Sequence, residues 1–192
     1  MMAAAPVRVR FMYIGNLEAY QGIDLLLESF AIVMRTRPAD RLVIIGGVAK
    51  HVAGYRQQAQ RLGLGARVEF RGQQSIARLA DFLGEADVLV SPRIKGTNTP
   101  MKIYSYLDSG KPIVATKLLT HTQVLTPEVA VLADPEPDAF AAAMLALAED
   151  PARCEKLGRV GRDYVRTHFS RAAFSVSFRA SAARVSTDGT AV

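Results

Sequence analysis

The chain has 192 residues, 49% of them hydrophobic and 22% charged, with a formal net charge of +6 at pH 7. That size suits one domain with a substantial core, and the composition is that of an ordinary globular chain. The one cysteine, Cys154, excludes a disulfide framework and a cysteine-rich metal site, and no apolar run approaches the ~18 residues of a membrane span.

The opening MMAAAPVRVR lacks the charged start and long apolar stretch of a secretory signal, so a reducing cytoplasmic setting is expected. The basic residues are dispersed, which reads as solvated faces. Their functional reading is attraction to a phosphate ligand or to the anionic inner face of a membrane. No basic patch is interleaved with aromatics, so no nucleic-acid partner is expected.

Strands and helices alternate along the chain. Val7 to Ile14 reads as a buried strand closed by Gly15, and Ile23, Leu26, Leu27, Phe30, Val33 and Met34 mark one face of a helix that stops before Pro38. Leu42 to Ile45 is a second strand, closed by Gly46-Gly47. Val52, Tyr55, Ala59 and Leu62 outline a second amphipathic helix ended by Gly63. Val68 to Phe70 is a short strand, and Ser75 can cap a helix carrying Ile76, Leu79, Ala80 and Leu83. Val88 to Val90 and Ile113 to Ala115 are further strands, with a helix beginning near Pro100 between them, and Val129 to Leu132 is expected as a sixth strand.

Helical stripes follow at Phe140, Ala143, Met144 and Leu147, then at Leu157, Val160, Gly161 and Tyr164. A last helix, capped by Ser170, carries Phe174 and Phe178. Parallel strands need crossover connections, so the alternation predicts an α/β doubly wound, Rossmann-like parallel sheet of about six strands with helices on both faces and extra C-terminal helices. The expected organisation is one domain over residues 1–185 and a frayed tail over 186–192.

Loops at the carboxyl ends of such strands hold small molecules. The stretch SPRIKGTNTPMKIYSYLDSGKPIVATKLLTHTQVL, Ser91 to Leu125, places glycine, hydroxyl, amide and cationic side chains after a buried strand and ahead of a helix, which suits a phosphorylated, hydroxyl-rich ligand. Other doubly wound chemistries lack their residues. The turn after the first strand, GNLEAYQG, is not G-x-G-x-x-G, and there is neither a phosphate-binding G-x-x-x-x-G-K-[ST] run nor a G-x-S-x-G elbow. The three histidines show no metal-ligand spacing, so no metal and no cofactor beyond the substrate itself are expected.

The segments YIGNLEAYQGIDLLLESF (Tyr13–Phe30), LVIIGG (Leu42–Gly47), VEFRGQ (Val68–Gln73), ADVLVSP (Ala86–Pro92) and PMKIYSYLDSGKPIVAT (Pro100–Thr116) resemble, in order and spacing, the C-terminal domain of GT-B-fold retaining glycosyltransferases of the family 4 type. The resemblance runs from Val7 to about Phe178. It implies a hexosyltransferase whose C-terminal domain holds a nucleotide sugar such as a UDP- or GDP-sugar, for glycan or cell-surface polysaccharide synthesis. Transfer would be front-face, with the leaving diphosphate stabilised by loop amides and basic side chains. The acceptor would sit on a separate N-terminal GT-B domain, so the isolated domain would catalyse little.

Two departures stand out. Where the family commonly carries an Arg and a Lys after the first strand, this chain has Asn16 and Gln21. Where it carries a pair of glutamates, the second of which holds the ribose, this chain has no acid in Lys95 to Thr97 and has Ser105. The expectation is therefore that Arg93, Lys95 and Lys102 supply the charge that stabilises the diphosphate. Gly15, Asn16, Gln21, Gly46, Gly72, Gln73, Asn98, Thr99, Ser105 and His121 would contact the substrate. The alternative is a degenerate GT-B domain that binds, or docks to a partner, without catalysis.

Overall fold

A computed structural model describes residues 8–169. Six strands form one parallel sheet in the order β3-β2-β1-β4-β5-β6: β1 (Arg10–Ile14), β2 (Arg41–Ile45), β3 (Val68–Gly72), β4 (Val88–Ser91), β5 (Ile113–Thr116) and β6 (Val131–Ala133). The helices are α1 (Ile23–Thr36), α2 (Ala49–Arg61), α3 (Leu79–Glu85), α4 (Lys102–Ser109), α5 (Leu119–Thr122), α6 (Pro137–Ala148) and α7 (Pro151–His168). This is the doubly wound Rossmann order, with helices on both faces.

Alternation along β1 shows how the sheet is buried on both sides. Phe11 and Tyr13 enter a core with Leu26, Phe30, Phe140 and Met144, under α1 and α6. Met12 enters the opposite core with Phe82, Ile103, Tyr106, Leu107 and Val165, under α3, α4 and α7. β1 and β2 run in register from Arg10 beside Arg41 to Ile14 beside Ile45, so their last residues emerge together at one edge.

Several expected boundaries shift. β1 begins at Arg10, not Val7, which lies outside the described residues. The sixth strand starts two residues late, because the amides of Val129 and Ala130 both donate to the Thr126 carbonyl and make a turn there. Ser75 caps a short 3₁₀ turn, Ile76 to Arg78, rather than α3 itself, its hydroxyl accepting from the Ala77 amide at 3.3 Å. Pro100 opens a turn, with Ile103 N–H donating to its carbonyl at 3.0 Å, and α4 starts at Lys102. Cys154 packs against the core, its thiol donating to the Leu147 carbonyl at 3.1 Å, and burial raises its pKa. The helix expected beyond Ser170 and the tail lie outside the described residues.

Candidate functional site: a crevice at the carboxyl ends of the strands

The chain winds away from β1 in both directions, to β2 on one side and β4 on the other. At such a switch point the two loops part and leave a crevice. Here the loops after β1 and β4 are pressed together at its floor. Ile94 N–H donates to the Tyr20 carbonyl at 2.9 Å, and the Arg93 guanidinium lies 5.1 Å from the Tyr20 ring centroid. Gly22 makes this approach possible: its φ is +72°, and a Cβ on it would meet the Pro92 carbonyl oxygen at 2.0 Å.

Lys102 stands at the first position of α4 with its ammonium inside this crevice. It donates to the Gln21 side-chain oxygen at 3.2 Å and lies 4.0 Å from the Tyr13 ring centroid. A side chain on Gly15 would begin 3.3 Å from that ammonium, so glycine keeps the space above it open. No acid is among the charges that act on Lys102; burial, with the nearby Arg93 second, pulls its pKa down to about 7. Two cations with no carboxylate acting on them suit an anionic ligand.

Each of the two tyrosines around this lysine fixes a loop. Tyr13 donates to the Asn16 carbonyl at 2.6 Å, and the Tyr106 hydroxyl accepts from the Ile14 amide at 2.8 Å. Burial raises the pKa of both phenols, so they stay neutral.

Beside the crevice, a pocket of about 440 Å³ opens over the ends of β1, β2 and β3. Its walls are Leu17, Ile45, Ile76, Leu79 and Phe82, and Asn16, Glu18, His51, Gln73, Gln74 and Ser75 supply polar groups. Two backbone hydrogen bonds tie the three loops together: Gly15 N–H to the Ile45 carbonyl at 3.0 Å, and Gly46 N–H to the Gly72 carbonyl at 2.7 Å. An apolar slot with a polar rim matches the faces and edges of a nucleoside. His51 sits on this rim 4.0 Å from Glu18; only the fold brings the two together.

The expected site residues divide. Gly15, Asn16, Gly46 and Gln73 line the pocket, Gly72 lines the recess next to it, and Gln21 and Lys102 meet in the crevice.

Four other expectations change. Arg93 is only 9% exposed, and its guanidinium donates to the carbonyls of Lys95 at 2.7 Å and Asn98 at 3.5 Å and to the Asn98 side-chain oxygen at 3.4 Å, so it organises its loop as well as charging the crevice. Asn98 is spent in the same loop, its carbonyl also accepting from Thr120 at 2.8 Å. Lys95 is exposed, and what the loop takes from it is the carbonyl. Ser105 faces another recess, with Leu79, Ala80, Leu83, Asp108 and Arg162, because the phase of α4 turns Ile103, Tyr106 and Leu107 onto the sheet.

His121 is also corrected. It is fully buried beneath the crevice. Its Nε2 lies 2.9 Å from the Ser91 hydroxyl, and its Nδ1 lies 2.9 Å from the Thr116 carbonyl and 3.0 Å from the Thr116 hydroxyl. The Thr116 hydroxyl donates to the Arg93 carbonyl at 2.5 Å, which leaves Nδ1–H as the donor to Thr116 and Nε2 as the acceptor from Ser91. Burial lowers the His121 pKa to about 4, so this bridge between β4 and β5 is neutral. Thr99 keeps a buried hydroxyl without a partner among the described residues.

The model of the family described as glycosyl transferases group 1 matches residues 8–150. The chain belongs to that family. Over 154 residues, this group 1 domain is 29% identical to a D-inositol 3-phosphate glycosyltransferase of Segniliparus rotundus, covering 78% of the chain and 34% of that relative. It therefore spans about a third of the curated relative's length.

Among solved structures, the HepE protein of Anabaena in complex with UDP and glucose superposes with a TM-score of 0.79 at 19% identity, over 91% of this chain and 48% of that one. The C-terminal domain of a group 1 glycosyl transferase family protein from Francisella tularensis superposes with a TM-score of 0.76 at 18% identity, over 86% of this chain and 88% of that domain. The six-stranded parallel sheet is thus the fold of a GT-B glycosyltransferase domain. No helix among the described residues is long and apolar enough to cross a membrane.

Proposed function

We propose that this group 1 domain holds the nucleotide-sugar donor, a UDP- or GDP-hexose, for transfer to an acceptor carried by an N-terminal GT-B domain, in the synthesis of a glycan or cell-surface polysaccharide. The observation that carries the reading is Lys102, an ammonium sunk in a crevice with a second cation and no carboxylate. The likeness to a fold solved with UDP and glucose supports it. The base and ribose occupy the slot between Leu17, Ile76 and Phe82, and the diphosphate crosses Gly15 toward Lys102.

As the bond from the sugar to the diphosphate breaks, negative charge grows on the leaving oxygen. Lys102 and Arg93 stabilise that charge from fixed positions, with no reorganisation at the moment of reaction. Gln21 orients the ammonium where the family commonly places a second cation, so this subgroup carries that charge on α4. Arg93 and His121 act on the reaction by holding the loop between Pro92 and Pro100.

A binding module without catalysis is the second reading, and the placement of Ser105 outside the pocket favours it. Calorimetric titration with UDP, GDP and ADP tests the binding they share: one nucleotide is expected to bind saturably and to lose that binding in Lys102→Met. Affinity unchanged by Lys102→Met would falsify the site. Sugar transfer by the two-domain protein separates the two readings.

A further inference from the structure

The opposite edge of the sheet carries a second concentration of charge. Parallel strands bring their first residues to one end, and there Arg8, Arg10, Arg41 and Arg67 line a single recess of about 230 Å³. Arg10 and Arg41 are direct register neighbours on β1 and β2, while Arg8 and Arg67 lie just ahead of β1 and β3. Helix C-termini also point to this edge, and arginines there can serve only to bind free carbonyls. That accounts for Arg10, which donates to the Glu85 carbonyl at 3.1 Å and lies 3.7 Å from its carboxylate, and for Arg41, which donates to the Ala66 carbonyl at 3.0 Å. It does not account for Arg8 and Arg67, whose side chains make no hydrogen bond or ion pair among the described residues.

The nearby acids are already committed. Glu69, the one carboxylate lining the recess, gives both oxygens to Arg71, at 2.8 and 3.4 Å. Asp40 is 1% exposed and is held by Arg37 at 2.7 Å and by the Val9 amide at 2.9 Å. The cations are left facing one another, and desolvation, then Arg67 and Arg8, hold Arg41 below the ordinary arginine value.

We propose that this recess binds a phosphate-type oxyanion, with Arg8, Arg41 and Arg67 sharing its charge. Guanidinium groups present paired N–H donors that match the oxygens of a phosphoryl group, and a concave recess of this size suits one such group better than an extended polyanion. The site lies at the amino ends of the strands and the donor crevice at their carboxyl ends, so the two stand or fall separately. The phosphoryl group can come from a soluble phosphomonoester or from a lipid headgroup.

The test uses the whole chain, labelled for amide NMR and titrated with inorganic phosphate. Saturable shifts are expected at Arg41, Ala66, Arg67 and Glu69. The double variant Arg8→Gln, Arg67→Gln should weaken this binding by at least about tenfold, the ratio for losing one charge-assisted hydrogen bond, while Lys102→Met leaves it intact. The replaced side chains make no hydrogen bond or ion pair among the described residues, so the double variant is expected to keep its melting temperature. Absence of saturable shifts at the recess, or shifts of equal affinity in the double variant, overturns the proposal.

Sedimentation with phosphatidylcholine vesicles, with and without phosphatidic acid, distinguishes the sources. Pelleting that depends on both phosphatidic acid and the two arginines identifies a headgroup. Phosphate binding without pelleting identifies a soluble phosphoryl group.

Discussion

The side-chain oxygen of Gln21 accepts a hydrogen bond from the Lys102 ammonium at 3.2 Å, across 81 positions of chain. This contact joins the loop after β1 to the first turn of α4. A cation at a helix N-terminus is unfavourable unless an anion is present, and Gln21 supplies only a dipole. The crevice is thus built for a ligand that brings the missing charge.

Replacing Lys102 with Met separates function from stability. Below about pH 7 the folded protein carries the buried charge in full, at a cost that the unfolded chain does not bear. Between there and the ordinary lysine pKa the unfolded state binds more protons than the folded one, so stability rises with pH through that window. Lys102→Met is expected to lose diphosphate binding, to melt higher by the equivalent of about 1–2 kcal/mol at neutral pH, and to lose that slope. Thermal unfolding from pH 6 to 10, with calorimetric titration of UDP, GDP and ADP alongside, measures all three.

Moving the charge across the contact tests whether position or sign matters. Gln21→Lys sets a second ammonium beside the first and is expected to destabilise the fold, by about 1–3 kcal/mol, as an unpaired buried cation does. The double variant Gln21→Lys, Lys102→Met returns to one ammonium beside Arg93 in the crevice and is expected to regain stability and part of the nucleotide affinity. Equal stability of the single and double variants in urea unfolding would show that the two side chains do not interact.

His121 sets the acid limit of the fold. Its folded pKa of about 4 lies below the ordinary histidine value, so the unfolded state takes up protons first as pH falls. Its contribution is intact above the unfolded pKa and is lost progressively down to about 4. His121→Phe is expected to flatten stability against pH in that window. It should also cost about 2–3 kcal/mol at pH 7, because Ser91 and Thr116 lose buried partners. Urea midpoints between pH 4 and 7 give both quantities.

The loop between Pro92 and Pro100 is fastened by Thr120 of α5 and by Gln123 just after it, which hydrogen-bond the carbonyls of Asn98 and Thr97. Removing both, in Thr120→Val with Gln123→Ala, is expected to lower nucleotide affinity several-fold with little change in melting temperature, since only an exposed loop is released. Loop amide exchange should rise in parallel. A large loss of stability with unchanged loop exchange would show that the fastening serves the core instead.

The fold was legible in the sequence because it rests on periodicity. Ile44 and Val90 sit in short buried runs, and Leu26 and Phe30 recur at helical spacing, so strands, helices and their alternation follow from local pattern. The site was legible only in part. Gly15, Gln21 and Lys102 could be singled out because Gly15 follows a strand, Gln21 precedes a helix and Lys102 starts one, positions at the loops that bound the crevice. His121 and Asn98 read as ligand groups because sequence shows polarity and not direction; the fold buries His121 and ties the Asn98 side-chain oxygen to Arg93 within the loop. Ser105 misled for a related reason: the resemblance gives its position, while the phase of α4 gives its side chain to another recess. The Glu18–His51 pair could not be foreseen, because the loop after β1 and the first turn of α2 must both be placed before the contact exists.

The most direct test of the donor site is the titration of Lys102 itself. In protein carrying labelled lysine, the Lys102 side-chain resonance is followed by NMR from pH 5 to 11, free and with the nucleoside diphosphate that binds. A free pKa of about 7 is expected, with a marked rise on binding as the diphosphate sets negative charge beside the ammonium. An ordinary lysine pKa in the free protein, unchanged by UDP, GDP or ADP, would contradict it.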